Sequence, residues 1–82
     1  MIISPNPANN SARISFKTPL DAKIISIYDT HGRLIRDYQG KDVEFNDVYD
    51  LELKALQSGS YYIKVLSENG ISTSGQLLIK KE

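Results

Sequence analysis

Apolar and polar residues alternate with a period of two through most of the chain, the pattern of half-buried strands. In Ser11–Lys17, Ala12, Ile14 and Phe16 point one way and Arg13, Ser15 and Lys17 the other. Thr18–Asp21 reads as a turn set by Pro19. Lys23–Tyr28 is the next strand, rich in β-branched residues. Ile25 and Ile27 share one of its faces and Ile24 and Tyr28 the other, so cover is expected on both sides. Asp29–Gly32 is a hairpin turn: Asp29 accepts from the backbone two residues on, and Gly32 supplies a positive φ. Arg33–Tyr38 returns as a strand and Gln39–Asp42 turns the chain again.

Val43–Leu53 is a long, irregular strand region, broken by a bulge or loop at Asn46–Val48 and ending on the alternating Tyr49, Leu51 and Leu53. Lys54–Gly59 is a compact corner with room for one helical turn. In Tyr61–Ser67, the clearest strand, Tyr61, Ile63 and Val65 oppose Tyr62, Lys64 and Leu66. Ser67–Gly70 is a tight turn, and Ile71–Lys80 is the last strand, with a bulge expected at Gly75. The start differs. Pro5 and Pro7 fix φ, remove two backbone donors and push Ser4 and Asn6 toward extended geometry. Residues 1–10 therefore read as a stiff, proline-rich lead-in, or as a first edge strand capped by a proline turn.

No segment is periodic enough for a helix. Six or seven short strands separated by turns predict an all-β fold, an Ig-like antiparallel β-sandwich of about seven strands or a small barrel. At 82 residues the chain is one domain, 1–82. Ten basic and ten acidic residues give a net charge of +0, with no basic stripe to suit nucleic acid. No apolar run is long enough to span a membrane. Met1–Asn10 has neither the basic nor the apolar stretch of a signal peptide. There is no cysteine, which excludes thiol chemistry and cysteine-based zinc sites.

Candidates for chemistry are few, and no catalytic residue or cofactor is expected. His31, the one histidine, lies two residues after Asp29. Such a pair can orient a general base, but both residues sit in one turn and no nucleophile has a recognisable setting. Asp42, Glu44, Asn46, Asp47 and Asp50 offer oxygen ligands for calcium, yet they lack the glycine and glutamate of an EF-hand loop, and a solvated face explains them. Tyr28, Tyr38, Tyr49 and Tyr62 are candidates for an outward aromatic platform, although they are scattered over several strands and alternate in side. Tyr61 has a structural reading. It follows Leu56 and Gly59 as L-x-x-G-x-Y, the pattern of a tyrosine corner whose hydroxyl folds back to the upstream backbone.

The stretches SPNPANN, ISIYDTHGRLI, YDLELKALQSGSYYIKV and GQLLIKK, in this order, resemble the C-terminal sorting domain of the type IX secretion system, type A, a tail on proteins exported by Bacteroidota. The resemblance covers Ser4 to Lys81. Pro5, Asn6 and Pro7 match the family's P-N-P. Ile27, Tyr28, Asp29, Gly32 and Arg33 match its central hairpin. Leu53, Leu56, Gly59 and Tyr61 match its corner, and Lys80 and Lys81 its basic end. Two features depart from the pattern: a final Glu82, and the acidity of Lys41–Asp50.

The resemblance implies a sorting label rather than an enzyme. An N-terminal cargo crosses the periplasm, and the type IX translocon reads the folded tail. A sortase-like protease then removes it, and the cargo stays on the cell surface or is secreted. On this reading Pro5–Pro7 is a stiff hinge between cargo and sandwich, and Lys80 and Lys81 are read by the translocon or guard an edge strand. The competing readings are a carbohydrate-binding or adhesive Ig-like module on a surface enzyme, and an Ig-like spacer. A sorting label belongs at a C-terminus, and this chain ends within three residues of its last apolar strand position.

Overall fold

The computed structural model describes residues 1–18 and 20–81. The turn expected at Pro19 and the departure at Glu82 lie outside the described residues. The elements in chain order are β1 (Ile2–Ser4), β2 (Ser11–Ser15), β3 (Ala22–Asp29), β4 (Leu34–Gln39), α1 (Gly40–Val43), β5 (Glu44–Phe45), β6 (Val48–Glu52), β7 (Gly59–Ser67) and β8 (Ser72–Ile79). They form two four-stranded sheets, ordered β1-β2-β6-β5 and β4-β3-β7-β8, with every strand pair antiparallel. The fold is the expected all-β sandwich. The count exceeds about seven because two strands are very short: β1 lies in the lead-in and β5 in the irregular region.

The inward positions of both sheets make the core. Ile14, Tyr49 and Leu51 come from one sheet, and Ile25, Ile27, Ile63, Val65, Leu77 and Ile79 from the other. All are almost fully buried, so alternation places whole faces on the core side. Phe16 meets Tyr49 edge to face, with centroids 6.2 Å apart.

Three local expectations are corrected and a fourth is made specific. Gln39–Asp42 is not a simple turn, because Gly40–Val43 forms one helical turn. It lies against β3 so closely that a Cβ on Gly40 would stand 1.8 Å from the Ala22 carbonyl oxygen. The break expected in Val43–Leu53 as a bulge or loop is the loop: a two-residue hairpin at Asn46 and Asp47, both at positive φ, joins Phe45 to its partner Val48. The corner after Leu53 holds a turn closed by Leu56 N–H on the Leu53 carbonyl (3.0 Å) instead of a helical turn. Gly75 makes no bulge, since β8 stays in register with β7 from Ser72 to Ile79. A Cβ there would approach Met1 Cε (2.9 Å) and Ile3 Cδ1 (3.3 Å), so side chains of Met1 and of β1 cover this position.

Candidate recognition surface

The motif residues are best understood from their bonds. Asp29 ends β3. Its Oδ1 accepts from the backbone N–H of His31 (2.8 Å) and of Arg33 (3.0 Å), and its Oδ2 from Arg33 Nε (2.8 Å). Gly32, at φ +79°, lets the chain close this loop with Asp29 N–H on the Arg33 carbonyl. The spacing D-x-x-G-R is thus one carboxylate organising one turn. The backbone N–H of Arg33, aided by its guanidinium, holds the Asp29 carboxyl below its usual range. His31 is exposed and gives this network only its backbone N–H.

The corner before β7 is built the same way. Tyr61 Oη donates to the Gln57 carbonyl at 2.7 Å, Leu56 is buried beneath, and Gly59 opens the strand. Two further tyrosines, weighed as candidates for an outward platform, instead face inward and bridge elements. Tyr38 on β4 is buried and donates to the Glu52 carbonyl on β6 at 2.7 Å, joining the two sheets. Tyr49 is buried as well. Its oxygen accepts from Ala22 N–H at 2.9 Å, and its proton faces the Leu20 carbonyl (2.9 Å) and Glu44 Oε2 (3.0 Å). Burial pushes both phenols up. Inward tyrosines lie here because their hydroxyls find partners.

Pro5, Asn6 and Pro7 stand inside the fold, not ahead of it. β1 precedes them and pairs with β2, while Asn6 crosses to the edge of β8. Asn6 Nδ2 donates to the Gln76 carbonyl (3.2 Å), and Asn6 Oδ1 accepts from Leu78 N–H (3.0 Å). The strap continues with Ala8 N–H on the Leu78 carbonyl and Lys80 N–H on the Ala8 carbonyl, each 2.8 Å. The peptide bonds before Pro5 and Pro7 are cis. A free hinge does not fit this geometry: one asparagine side chain replaces a missing strand on the outer edge of β8.

The two terminal lysines divide. Lys81 Nζ donates to Asn10 Oδ1 (2.9 Å) and the Leu53 carbonyl (3.1 Å), and Lys81 N–H to Ser58 Oγ (2.8 Å). Lys80 is exposed, with no side-chain bond among the described residues. The acidic run is spread over α1, β5, the hairpin and β6. Asp50 pairs with Arg13 Nε at 2.8 Å, which holds its carboxyl below the usual range. A cleft over Tyr49 is lined by Asp21, Lys23, Lys41, Glu44 and Glu68, of both signs. No three His, Cys, Asp or Glu residues gather as for a metal among the described residues.

Tyr28 and Tyr62, two of the four platform candidates, do lie on the outward face of the β4-β3-β7-β8 sheet; what alternation missed is that they are paired there and joined by Leu34 and Leu78. Tyr28 stands opposite both Leu34 and Tyr62 in the register, and Leu78 lies diagonally from Tyr62 on the neighbouring strand. The cover expected on both sides of β3 is present on one side only: no element of the described fold covers this outward face. The available signal was Tyr28 and Tyr62 at matching positions of two strands, but it needs the register to be seen.

A D-x-x-G-R hairpin, a tyrosine corner, an asparagine strap and a lysine clamp hold together a small β-sandwich domain with no helix longer than one turn among the described residues. The family model described as "Secretion system C-terminal sorting domain" matches residues 3–80. The chain belongs to this type IX secretion family, which is not an enzyme family. Membership implies the type IX machinery, an N-terminal cargo and export to the surface or medium. No curated protein matches the chain. Among solved structures, CopC from Methylosinus trichosporium OB3b is similar in fold. The TM-score is 0.59 at 22% identity, over 100% of this chain and 90% of that one.

Proposed function

We propose that this domain is read in its folded state by the type IX translocon, acts as a non-catalytic export label, and is then cut from a cargo that stays at the cell surface. The family match over residues 3–80 carries the sorting role. The folded-state reading is supported by where the motif residues lie: Asn6, Asp29, Tyr61 and Lys81 spend their polar groups on the fold itself. Lys80 is the member of the basic end left for the translocon. The sortase-like protease needs extended chain, and Asn6 and Ala8 clamp the Pro5–Pro7 segment to β8. Cleavage therefore falls ahead of β1.

The test is a fusion of a signal peptide, a fluorescent protein and residues 1–82 in a host with an intact type IX system, beside a strain lacking the translocon. Reporter on the surface or in the medium of the first strain only, shortened by the mass of the tail, is the expected result. Reporter held in the periplasm of both strains, with the domain folded and intact, refutes the label. Exported reporter still carrying the tail refutes cleavage.

A further inference from the structure

We infer that the outward face of the β4-β3-β7-β8 sheet is the surface on which the export machinery docks, through an apolar partner surface edged with carboxylates; this rests on the sorting role proposed above. Leu34, Tyr28, Tyr62 and Leu78 make a ladder across all four strands. Leu34 is 52% exposed, Tyr62 44% and Leu78 43%. An outward face of an antiparallel sheet is ordinarily polar. The opposite sheet obeys: its centre is closed by the Arg13–Asp50 ion pair, with large exposed side chains only at its margins, Ile2 and Phe45. A contiguous exposed apolar strip on one face alone marks an interaction surface, and a tyrosine near its centre has the size and rigidity of a binding anchor.

The charge on this face says what the partner carries. Lys64 follows Tyr62 by two residues on β7 and stands opposite Ser26 and Ser74. Lys80 follows Leu78 by two residues and continues its alternation at the end of β8. Neither lysine makes an ion pair among the described residues. Asp37, the carboxylate on the same face, accepts from Ser26 Oγ at 2.7 Å and keeps its charge. Two lysines against one aspartate leave the face net cationic, and carboxylates on the partner complement it. A second copy would bring the same two lysines against a single aspartate, so two such faces repel by their net charge, which disfavours self-association through this face.

The export fusion tests this with two double variants and one control. Leu34→Ser with Tyr62→Ser removes half of the ladder, and Lys64→Glu with Lys80→Glu reverses the rim. Phe45→Ser deletes a still more exposed apolar side chain from the other sheet. Each purified domain is melted to establish that it folds. The ladder variant is expected to lose about tenfold in exported-to-periplasmic reporter, as for an interface anchor, and the rim variant several-fold, while Phe45→Ser matches the wild type. If the ladder variant fails to fold, the rim variant decides, because its substitutions are exposed. Wild-type export by folded ladder and rim variants overturns the inference and leaves the sorting role intact. Normal export with loss of surface retention also overturns it and moves the ladder to a glycan. Failure of the wild-type fusion itself refutes the sorting role, and the docking surface with it.

Discussion

Lys81 reaches back across the end of the sandwich and donates its ammonium to the Leu53 carbonyl, 3.1 Å away. This ties the end of the chain to the corner after β6, and Asn10 completes the clamp. The two lysines of the basic end therefore differ in setting: Lys81 is bonded to the fold and Lys80 is exposed. Lys81→Met keeps the aliphatic stem and removes both bonds, and is expected to cost about 1–2 kcal/mol. Lys80→Met is expected to stay within about 0.5 kcal/mol. Urea unfolding of the two variants compares them, and equal losses would contradict the division.

The tyrosine hydroxyls differ in what they leave behind. Tyr49→Phe orphans the buried Ala22 N–H along with its own acceptors, for a loss of about 2–3 kcal/mol. Tyr61→Phe frees the Gln57 carbonyl at an exposed corner, where water can replace the bond, and costs about 1 kcal/mol. Thermal melts at matched pH should place Tyr49→Phe clearly below Tyr61→Phe; the reverse order would mean that the corner, and not the buried bridge, limits stability.

Two glycines separate in the same manner. Gly40→Ala sets a methyl against the Ala22 backbone carbonyl, which cannot move without shifting β3, and should cost about 2–3 kcal/mol. Gly75→Ala meets the flexible end of Met1, and alanine suits a strand better than glycine, so the net change is under about 1 kcal/mol. Denaturant midpoints of the pair measure this, and a larger loss at Gly75 would show that β1 is packed too rigidly to yield.

Asp29 makes the hairpin sensitive to acid. Its folded pKa lies below the unfolded value of about 3.9. The carboxylate's contribution is therefore present above the unfolded pKa and is lost as pH falls through the folded one. Asp29→Asn should lower the urea midpoint at neutral pH, and its gap from the wild type should narrow as the pH drops below about 4. A gap that widens in acid would contradict the charge-assisted turn.

Much of this was legible in the chain because strand periodicity is local. The alternation in Tyr61–Ser67 correctly groups Ile63 with Val65 on the core side, and D-x-x-G-R is a turn whose partners lie within four residues. What escaped depends on partners far away in sequence. Tyr49 meets Ala22 and Leu20, Lys81 meets Leu53, and Asn6 meets Leu78, so polar residues that look exposed from their neighbours are instead satisfied by distant backbone. The Tyr28–Tyr62 pairing depends on register, which one strand alone cannot reveal. The helical turn at Gly40 was hidden because four residues carry no usable period.

On the function proposed above, the folded sandwich, and not its short motifs, is the export label. Ile63→Asp leaves every motif residue in place but sets a carboxylate at a fully buried core position, where it cannot be solvated. The measurement is export of the reporter fused to this variant, with full-length chain verified by immunoblot and loss of fold by protease sensitivity. Intact reporter retained in the periplasm, while the wild-type fusion reaches the surface, is the predicted result. Wild-type export by the unfolded variant would mean that the linear motifs suffice, and would contradict the account.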